Sequence, residues 1–280
     1  MSALPASAPP AEAAGSGGTV WCRGMNWLGD SVMTLPALAA YRQASPGVRL
    51  VMAARPGLVP FWSLCPLVDA VQPLPPGLRG DGSVARALRR LGARRAIVFP
   101  NSFRSAWVPF LAHVPERVGF PGSGRRFLLT RSVHPVSYTG SRHQALDYFA
   151  LVGAAPAAVP PVLDGLLAIP AAVRDALRTR LRAAAAGTPG FPAEGPWMAV
   201  APGAARGSSK RWPASHFAAA AAAVFRARGC GVIVCGTGAE REAGDAIAAS
   251  VPGGTINLAG ATTLPELAAL FQLCRLVLCN

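Results

Sequence analysis

The stretch TVWCRGMNWLGDSVMTLPALAAYRQ, Thr19–Gln43, decides the fold. TVWCRG is an apolar run of strand length that stops at a glycine. GDSVMTLPALAAYRQ then brings its apolar residues back at helical spacing, with Pro36 as an expected kink. A strand that passes into a helix within a few residues is the first half of a βαβ unit. The pattern recurs downstream. Strands are expected in VRLVMAA, DAVQPL, RAIVFP and ERVGF, and helices in GLVPFWSLC, SVARALRRLG, SFRSAWVPFLAHV and RHQALDYFALVG. Such a series makes a parallel sheet covered on both faces.

A Pro- and Ala-rich passage, AAPAAVPPVLDG, interrupts the series as a linker does. Beyond it the helix AAVRDALRTRLRAAAA leads into a second run, with strands WMAVAPG, GVIVCG, TINLAG and RLVLCN. These alternate with the helices PASHFAAAAAAVFRARG, EREAGDAIAASV and TLPELAALFQLC. The expected fold class is α/β: two Rossmann-like, doubly wound parallel-sheet domains facing a cleft, with ligands at the C-terminal ends of the strands. The expected boundaries are a disordered tail over 1–18, a first domain over 19–153, a linker over 154–169 and a second domain over 170–280. The tail has neither the basic start nor the apolar stretch of a signal peptide. No apolar run approaches the roughly 20 residues that span a bilayer. The sequence stops at Asn280, straight after an apolar strand with no helix to cover it, so a fragment with an incomplete second domain is expected.

The formal net charge is +14, which fits an anionic partner: nucleic acid, a phosphorylated substrate or an acidic membrane surface. No helix-turn-helix or zinc-finger spacing and no aromatic RNA-binding signature accompanies it, so nucleic acid is not expected. Of 27 basic residues 26 are Arg, and Lys210 is the single lysine. The bias towards Ala, Arg, Gly and Pro reads as GC-rich codon usage, and residues it disfavours are candidates for positions where their chemistry matters. Asn occurs four times, at Asn26, Asn101, Asn257 and Asn280, and the first two follow expected strands. Six cysteines without a CxxC pair read as buried thiols in a reducing compartment, not as disulfides or a zinc site.

Four motifs carry chemistry, each with two readings. In MNWLGDSVM, Asp30 is either the N-cap of the following helix or a general base that takes a proton from a hydroxyl as it attacks an electrophilic carbon. In PGAARGSSKRWP, small residues, among them Gly203, Ser208 and Ser209, precede Lys210 and Arg211 before a helix that Pro213 starts. That is either a solvated loop or an anion site, since small residues let backbone N–H groups approach a phosphate and the helix terminus favours negative charge. In CGTGAERE, Glu240 and Glu242 either complement a helix dipole or bind ribose hydroxyls. In FPNSFRSAWVPF and VGFPGSGRRFLLTR, Asn101, Ser102, Arg104, Arg125 and Arg126, with Asn26, either contact an acidic or polyhydroxyl acceptor or are surface groups.

Taken in order, MNWLGDSVMTLPAL, FPNSFRSAWVPFLAHVPERVGF and PGAARGSSKRWPASHF resemble the ADP-heptose:lipopolysaccharide heptosyltransferases, most of all their subfamily II, over residues 20–280. The resemblance implies a GT-B fold whose first domain binds the lipopolysaccharide inner core and whose second binds ADP-heptose; no DxD-like metal motif accompanies the loop, so no cofactor or metal is expected. It implies that Asp30 deprotonates a hydroxyl of the first inner-core heptose, which attacks the anomeric carbon of the donor with inversion. Lys210, with Arg211, matches the family's phosphate-binding position; by the reading of the residues themselves Ser208, Ser209 and Gly203 join them at the donor diphosphate, and Glu240 and Glu242 are the candidates for its ribose. Asn26, Asn101, Ser102, Arg104, Arg125 and Arg126 fall to the acceptor. A cytoplasmic monomer is expected, held peripherally at the inner membrane by its basic face. Two departures stand out. The chain ends before the family's Asp-(Ser/Thr)-Gly turn, so as given it is expected to bind ADP poorly and not to turn over, and Arg206 stands where an aromatic is expected. Heptosyltransferase I or a later member of the family, and a non-catalytic basic module for nucleotide or nucleic acid, are the alternative readings.

Overall fold

The computed structural model describes residues 18–135, 143–154, 165–204, 208–251 and 254–280, with the side chains of 78, 79 and 208 left aside. The expected tail up to residue 17, most of the expected linker and Arg206 lie outside the described residues. The described residues fall into two compact units that meet in sequence at Ala168 and Ile169.

The first unit runs β1 (Thr19–Arg23), α1 (Leu28–Ala44), β2 (Arg49–Ala54), α2 (Val59–Trp62), β3 (Ala70–Pro73), α3 (Leu78–Leu91) and β4 (Arg95–Val98). It continues with α4 (Phe103–Leu111), β5 (Glu116–Gly119), a 3₁₀ turn (Arg126–Leu128), β6 (Arg131–Ser132) and α5 (Ala145–Val152). Its six strands are ordered β3-β2-β1-β4-β5-β6 and every pair is parallel. Alternation along β1 divides the core. Trp21 points to the α3 and α4 face with Val84, Leu88 and Val108, while α1 and α5 pack on each other.

The second unit runs α6 (Ala171–Ala186), β7 (Trp197–Ala201), a 3₁₀ turn (Ser208–Lys210), α7 (Ala214–Arg228), β8 (Gly231–Val234) and a 3₁₀ turn (Gly238–Glu240). α8 (Arg241–Ser250), β9 (Thr255–Asn257), α9 (Leu264–Leu273) and β10 (Leu276–Cys279) complete it. The strand order is β10-β7-β8-β9, again all parallel. Period-two alternation builds both faces here. Met198, Val200, Val232 and Val234 meet Phe217, Ala221 and Ile247 on one side, and Trp197, Ala199 and Ile233 meet Leu177, Leu181 and Leu270 on the other. Burying each such Val, Ile or Leu contributes about 1.5–3 kcal/mol, which is why strands covered on both faces read as continuous apolar runs.

Local detail adds to the expectations at three places. α1 runs through Pro36 as one helix and begins at Leu28, with Trp27 in the N-cap position. α3 begins at Leu78, ahead of the expected start at Ser83. Its early turns hold Gly80, whose Cα lies so close to Pro75 that an added Cβ would meet that ring at 2.7 Å, and Asp81, which an arginine from α4 draws inward. The two-residue strand β6 carries no sequence signal of its own.

Candidate functional site

In each sheet the order in which strands are added reverses at one place, beside β1 in the first unit and beside β7 in the second, and open α/β sheets bind ligands at the strand C-termini there. In the first unit the loops after β1 and β4 occupy that place. Asp30 sits in the first turn of α1, half-buried, and makes no side-chain cap bond. Ser31 instead donates backbone N–H and hydroxyl to the Trp27 carbonyl. The capping reading of Asp30 therefore gives way. No donor among the described residues bonds its carboxylate, whereas Asp69, Asp81, Glu116, Glu194, Glu240 and Glu266 are all bonded. Beneath it lies Tyr148: burial, reinforced by the Asp30 charge, pushes the tyrosine hydroxyl up to about 12. Tyr148 and Asn101 share a cavity of about 430 Å³ with Met25 and Phe120.

A larger cavity, about 650 Å³, is lined on its polar side by Arg23, Asn26, Arg55, Asp81, Ser102 and Arg104. Arg23 donates to Asn26 Oδ1 at 2.9 Å and to the Gly24 carbonyl. Its guanidinium is drawn down to about 10 by burial first, then by the charges of Arg55 and Arg104, with Asp81 opposing. Arg104 grips Asp81 through Nε and Nη2 at 2.8 Å each. Three cations against one carboxylate leave this cavity with an excess of positive charge. Arg23 and Arg55 were not expected from the sequence, because among 26 arginines only their place at the ends of β1 and β2 distinguishes them.

Arg125, expected at the acceptor surface, is fully buried. Its Nε donates to the Phe120 carbonyl at 2.8 Å, and Nη1 to the carbonyls of Ser102 (2.9 Å) and Pro100 and to Ser105 Oγ (2.6 Å). Burial without a carboxylate lowers its guanidinium to about 10. Arg125 is therefore the internal brace of the loop that presents Asn101 and Ser102. Asn101 is exposed and its side chain lies over Gly122, where any Cβ would strike it, while Ser123 Oγ donates to the Asn101 carbonyl at 2.8 Å. Arg126 is exposed on the neighbouring turn.

In the second unit the loop after β7 carries Gly203 and the 3₁₀ turn with Ser208, Ser209 and Lys210. Ser209, Lys210 and Arg211 are exposed, and the Lys210 ammonium has no partner among the described residues. Arg211 Nη2 reaches the Ala204 carbonyl at 3.4 Å. Asn280, unassigned by sequence, ties this loop to the end of β10. Its Nδ2 donates to the carbonyls of Pro202 (2.8 Å) and Gly203 (3.1 Å), and its Oδ1 accepts the Trp212 N–H at 2.7 Å. Glu240 Oε2 accepts from the Thr237 N–H at 2.8 Å and from its hydroxyl, closing a capping box. A Cβ added at Gly203 would meet Glu240 at 2.9 Å, with Oε1 3.0 Å away. Glu240 thus joins the loops after β7 and β8, while Glu242 is exposed in the first turn of α8. Another concavity, about 880 Å³ by Arg178, Arg228 and Arg275, lies at the opposite strand ends and holds none of these residues.

Among the described residues no group of three or more His, Cys, Asp or Glu is placed to hold a metal ion, and no helix is long and apolar enough to cross a membrane. The described cysteines are all free thiols.

Comparison with known proteins matches residues 82–280 to the model of glycosyltransferase family 9 (heptosyltransferase). Lipopolysaccharide heptosyltransferase 2 of Salmonella typhimurium is 28% identical over 273 residues, covering 92% of this chain and 75% of its own. Among solved structures, ADP-heptose lps heptosyltransferase II of Escherichia coli aligns with a TM-score of 0.78 at 25% identity, over 94% of this chain and 78% of that one. A family 9 glycosyl transferase from Veillonella parvula aligns at 0.79 and 22% identity, over 95% of this chain and 75% of its own, and supports the fold.

Proposed function

The chain belongs to glycosyltransferase family 9, the heptosyltransferases, and from that premise we propose how its two units share one glycosyl transfer. It is a glycosyltransferase, not a passive basic module, and its function is that of heptosyltransferase II, transfer of heptose from ADP-heptose to the first heptose of the lipopolysaccharide inner core.

The observation that carries the mechanism is Asp30: a carboxylate in the first turn of α1, at the switch point of the first sheet, with no donor among the described residues. Its Oδ takes the proton of the acceptor hydroxyl, and the oxygen so freed attacks the anomeric carbon of the donor. The bond from that carbon to the ADP oxygen breaks, ADP leaves with the electron pair, and attack from the opposite face inverts the centre. Charge grows on the diphosphate as the bond breaks. Lys210 and Arg211, with the backbone of the Gly203 and Ser208–Ser209 segment, are placed to take it up. Glu240 Oε1 and Glu242 are left for ribose hydroxyls. On the acceptor side, Asn26, Asn101, Ser102 and Arg104 face the sugar, Arg126 on the neighbouring turn is left to the lipid end of the acceptor, and the excess cations of the Arg23 cavity suit its acidic groups. The acceptor is lipid-anchored, and the net charge of +14 supports a peripheral place at the cytoplasmic face of the inner membrane.

The test is acceptor-dependent ADP release from ADP-heptose by wild type, Asp30→Asn and Lys210→Ala. Asp30→Asn is expected to lose roughly 10²–10⁴-fold in rate, and Lys210→Ala about ten- to a hundred-fold. Turnover that survives Asp30→Asn removes the base assignment. Turnover only on an acceptor that ends in Kdo, without heptose, moves the enzyme to heptosyltransferase I.

A further inference from the structure

The helix α4 has two working faces. Ser105 and Val108, with Arg104 at its start, turn towards the acceptor cavity, whereas Phe103, Trp107 and Phe110, at helical spacing, turn away from it. Phe103 stacks on Trp107 at 6.0 Å between centroids and Trp107 on Phe110 at 5.7 Å. Phe127, from the adjoining 3₁₀ turn, extends the row at 6.0 Å from Phe103. Phe127 is 67% exposed and Phe103 42%, the former the most exposed large apolar side chain described.

Charge borders the row on one sign only. Residues 101–135 contain five arginines and a single acid, Glu116. Glu116 is taken by Arg95 at 2.6 Å, and Arg125 is buried. Arg126 stands exposed beside Phe127, Arg117 lies over the Phe110 ring at 5.5 Å, and Arg131 is half-buried on β6. Aromatic rings rimmed by cations are the composition of a surface that enters the headgroup layer of an anionic bilayer. Trp107 and Phe110 are held against Ala106, Leu128 and Leu129, and Phe127 is tilted by 54° to Phe103, so the row is an uneven apolar ridge and not the flat ring face on which a sugar stacks.

We propose that Phe103, Trp107, Phe110 and Phe127, with Arg126, Arg117 and Arg131, form a docking surface for an anionic phospholipid bilayer, so that α4 lays one face on the membrane and the other along the acceptor cavity. The link to the cavity rests on the heptosyl-transfer reading; the lipid contact does not. A lipid-anchored acceptor then reaches the cavity along the bilayer plane.

Flotation on vesicles of phosphatidylethanolamine and phosphatidylglycerol, without substrate, tests the surface directly. Wild type is expected to float with these and not with phosphatidylcholine alone. Phe103→Gln/Phe127→Gln should reduce partitioning roughly ten-fold and Arg126→Gln roughly five-fold, with circular dichroism and thermal midpoint unchanged. Brominated acyl chains should quench a tryptophan signal that Trp107→Phe removes. In turnover, the double variant should raise KM for the lipid-anchored acceptor in vesicles and leave a deacylated, water-soluble acceptor unaffected. The proposal is overturned by wild type that does not float, or by a double variant that floats as wild type does. Equal loss on the soluble acceptor would make the row a sugar platform, and a concentration-dependent dimer broken by the double variant with flotation intact would make it a subunit interface. If flotation behaves as expected but no acceptor is turned over, the transfer reading fails and the membrane surface stands.

Discussion

All four asparagines end up at the C-terminal ends of strands. Asn26 accepts from Arg23, and Asn101 lies over Gly122. Asn257 bonds the Arg241 carbonyl and Asp245, and Asn280 ties Pro202, Gly203 and Trp212 together. The scarcity of this residue in the chain pointed to two of them, since Asn26 and Asn101 follow recognisable strands. Asn280 escaped because its partners are distant in sequence and its role exists only once β10 pairs with β7. Arg125 escaped for a different reason. In a chain where nearly every cation is Arg, the one that braces a loop from inside has the same letter as those in water. Removing it is expected to tell. Arg125→Met deletes a buried, unpaired charge, which offsets part of the loss, yet it strands the Phe120 carbonyl and leaves those of Pro100 and Ser102 with Ser105 alone. Urea unfolding is expected to show about 2–3 kcal/mol of destabilisation, and acceptor KM to rise while donor KM holds. A variant as stable as wild type would mean that those carbonyls find other donors.

Helices and strands were legible wherever local chemistry sets them. AAVRDALRTRLRAAAA is α6 from end to end, and the Thr-x-x-Glu spacing at Thr263 and Glu266 forms a capping box on α9. The first turns of α3 were not legible, because Gly-Asp-Gly has poor helix propensity and only tertiary contacts, Pro75 on Gly80 and Arg104 on Asp81, hold it helical. The α9 box makes a prediction with a pH sign. The Thr263 N–H holds the Glu266 carboxyl below its ordinary value, burial opposes, and the Thr263 hydroxyl and Arg180 add to the lowering. A depressed carboxyl contributes stability that is full above its ordinary value near 4.5 and is lost as pH falls through the lower folded value. Thr263→Ala is expected to cost about 1 kcal/mol at neutral pH, and the gap from wild type to narrow below about pH 4. Equal losses at pH 7 and in acid would show that the bond from the Thr263 hydroxyl to the carboxylate contributes nothing to the cap.

At the scale of the molecule, alternation of strand and helix told of parallel sheets, but not of strand order: no propensity says that β1 lies between β2 and β4, or β7 between β8 and β10. That order decides which loops converge, so the sites were legible as motifs and their arrangement was not. Each unit has its own cores, and the proposed division of labour gives each its own ligand. Hydrogen exchange with saturating ADP is expected to slow amides around Gly203, Lys210 and Gly238 and to leave those around Asn26 and Ser102 as they were. Protection confined to the first unit would reverse the assignment of donor and acceptor. The central place of β7 also has a bearing on biosynthesis. Its pairing with β8 is early, yet Met198 waits for Leu276 on its other side. At about 5–20 residues per second, the ribosome leaves that edge bare for roughly 4–16 s. The pace of translation past Trp197 therefore sets how long a nascent chain offers an open strand to its neighbours.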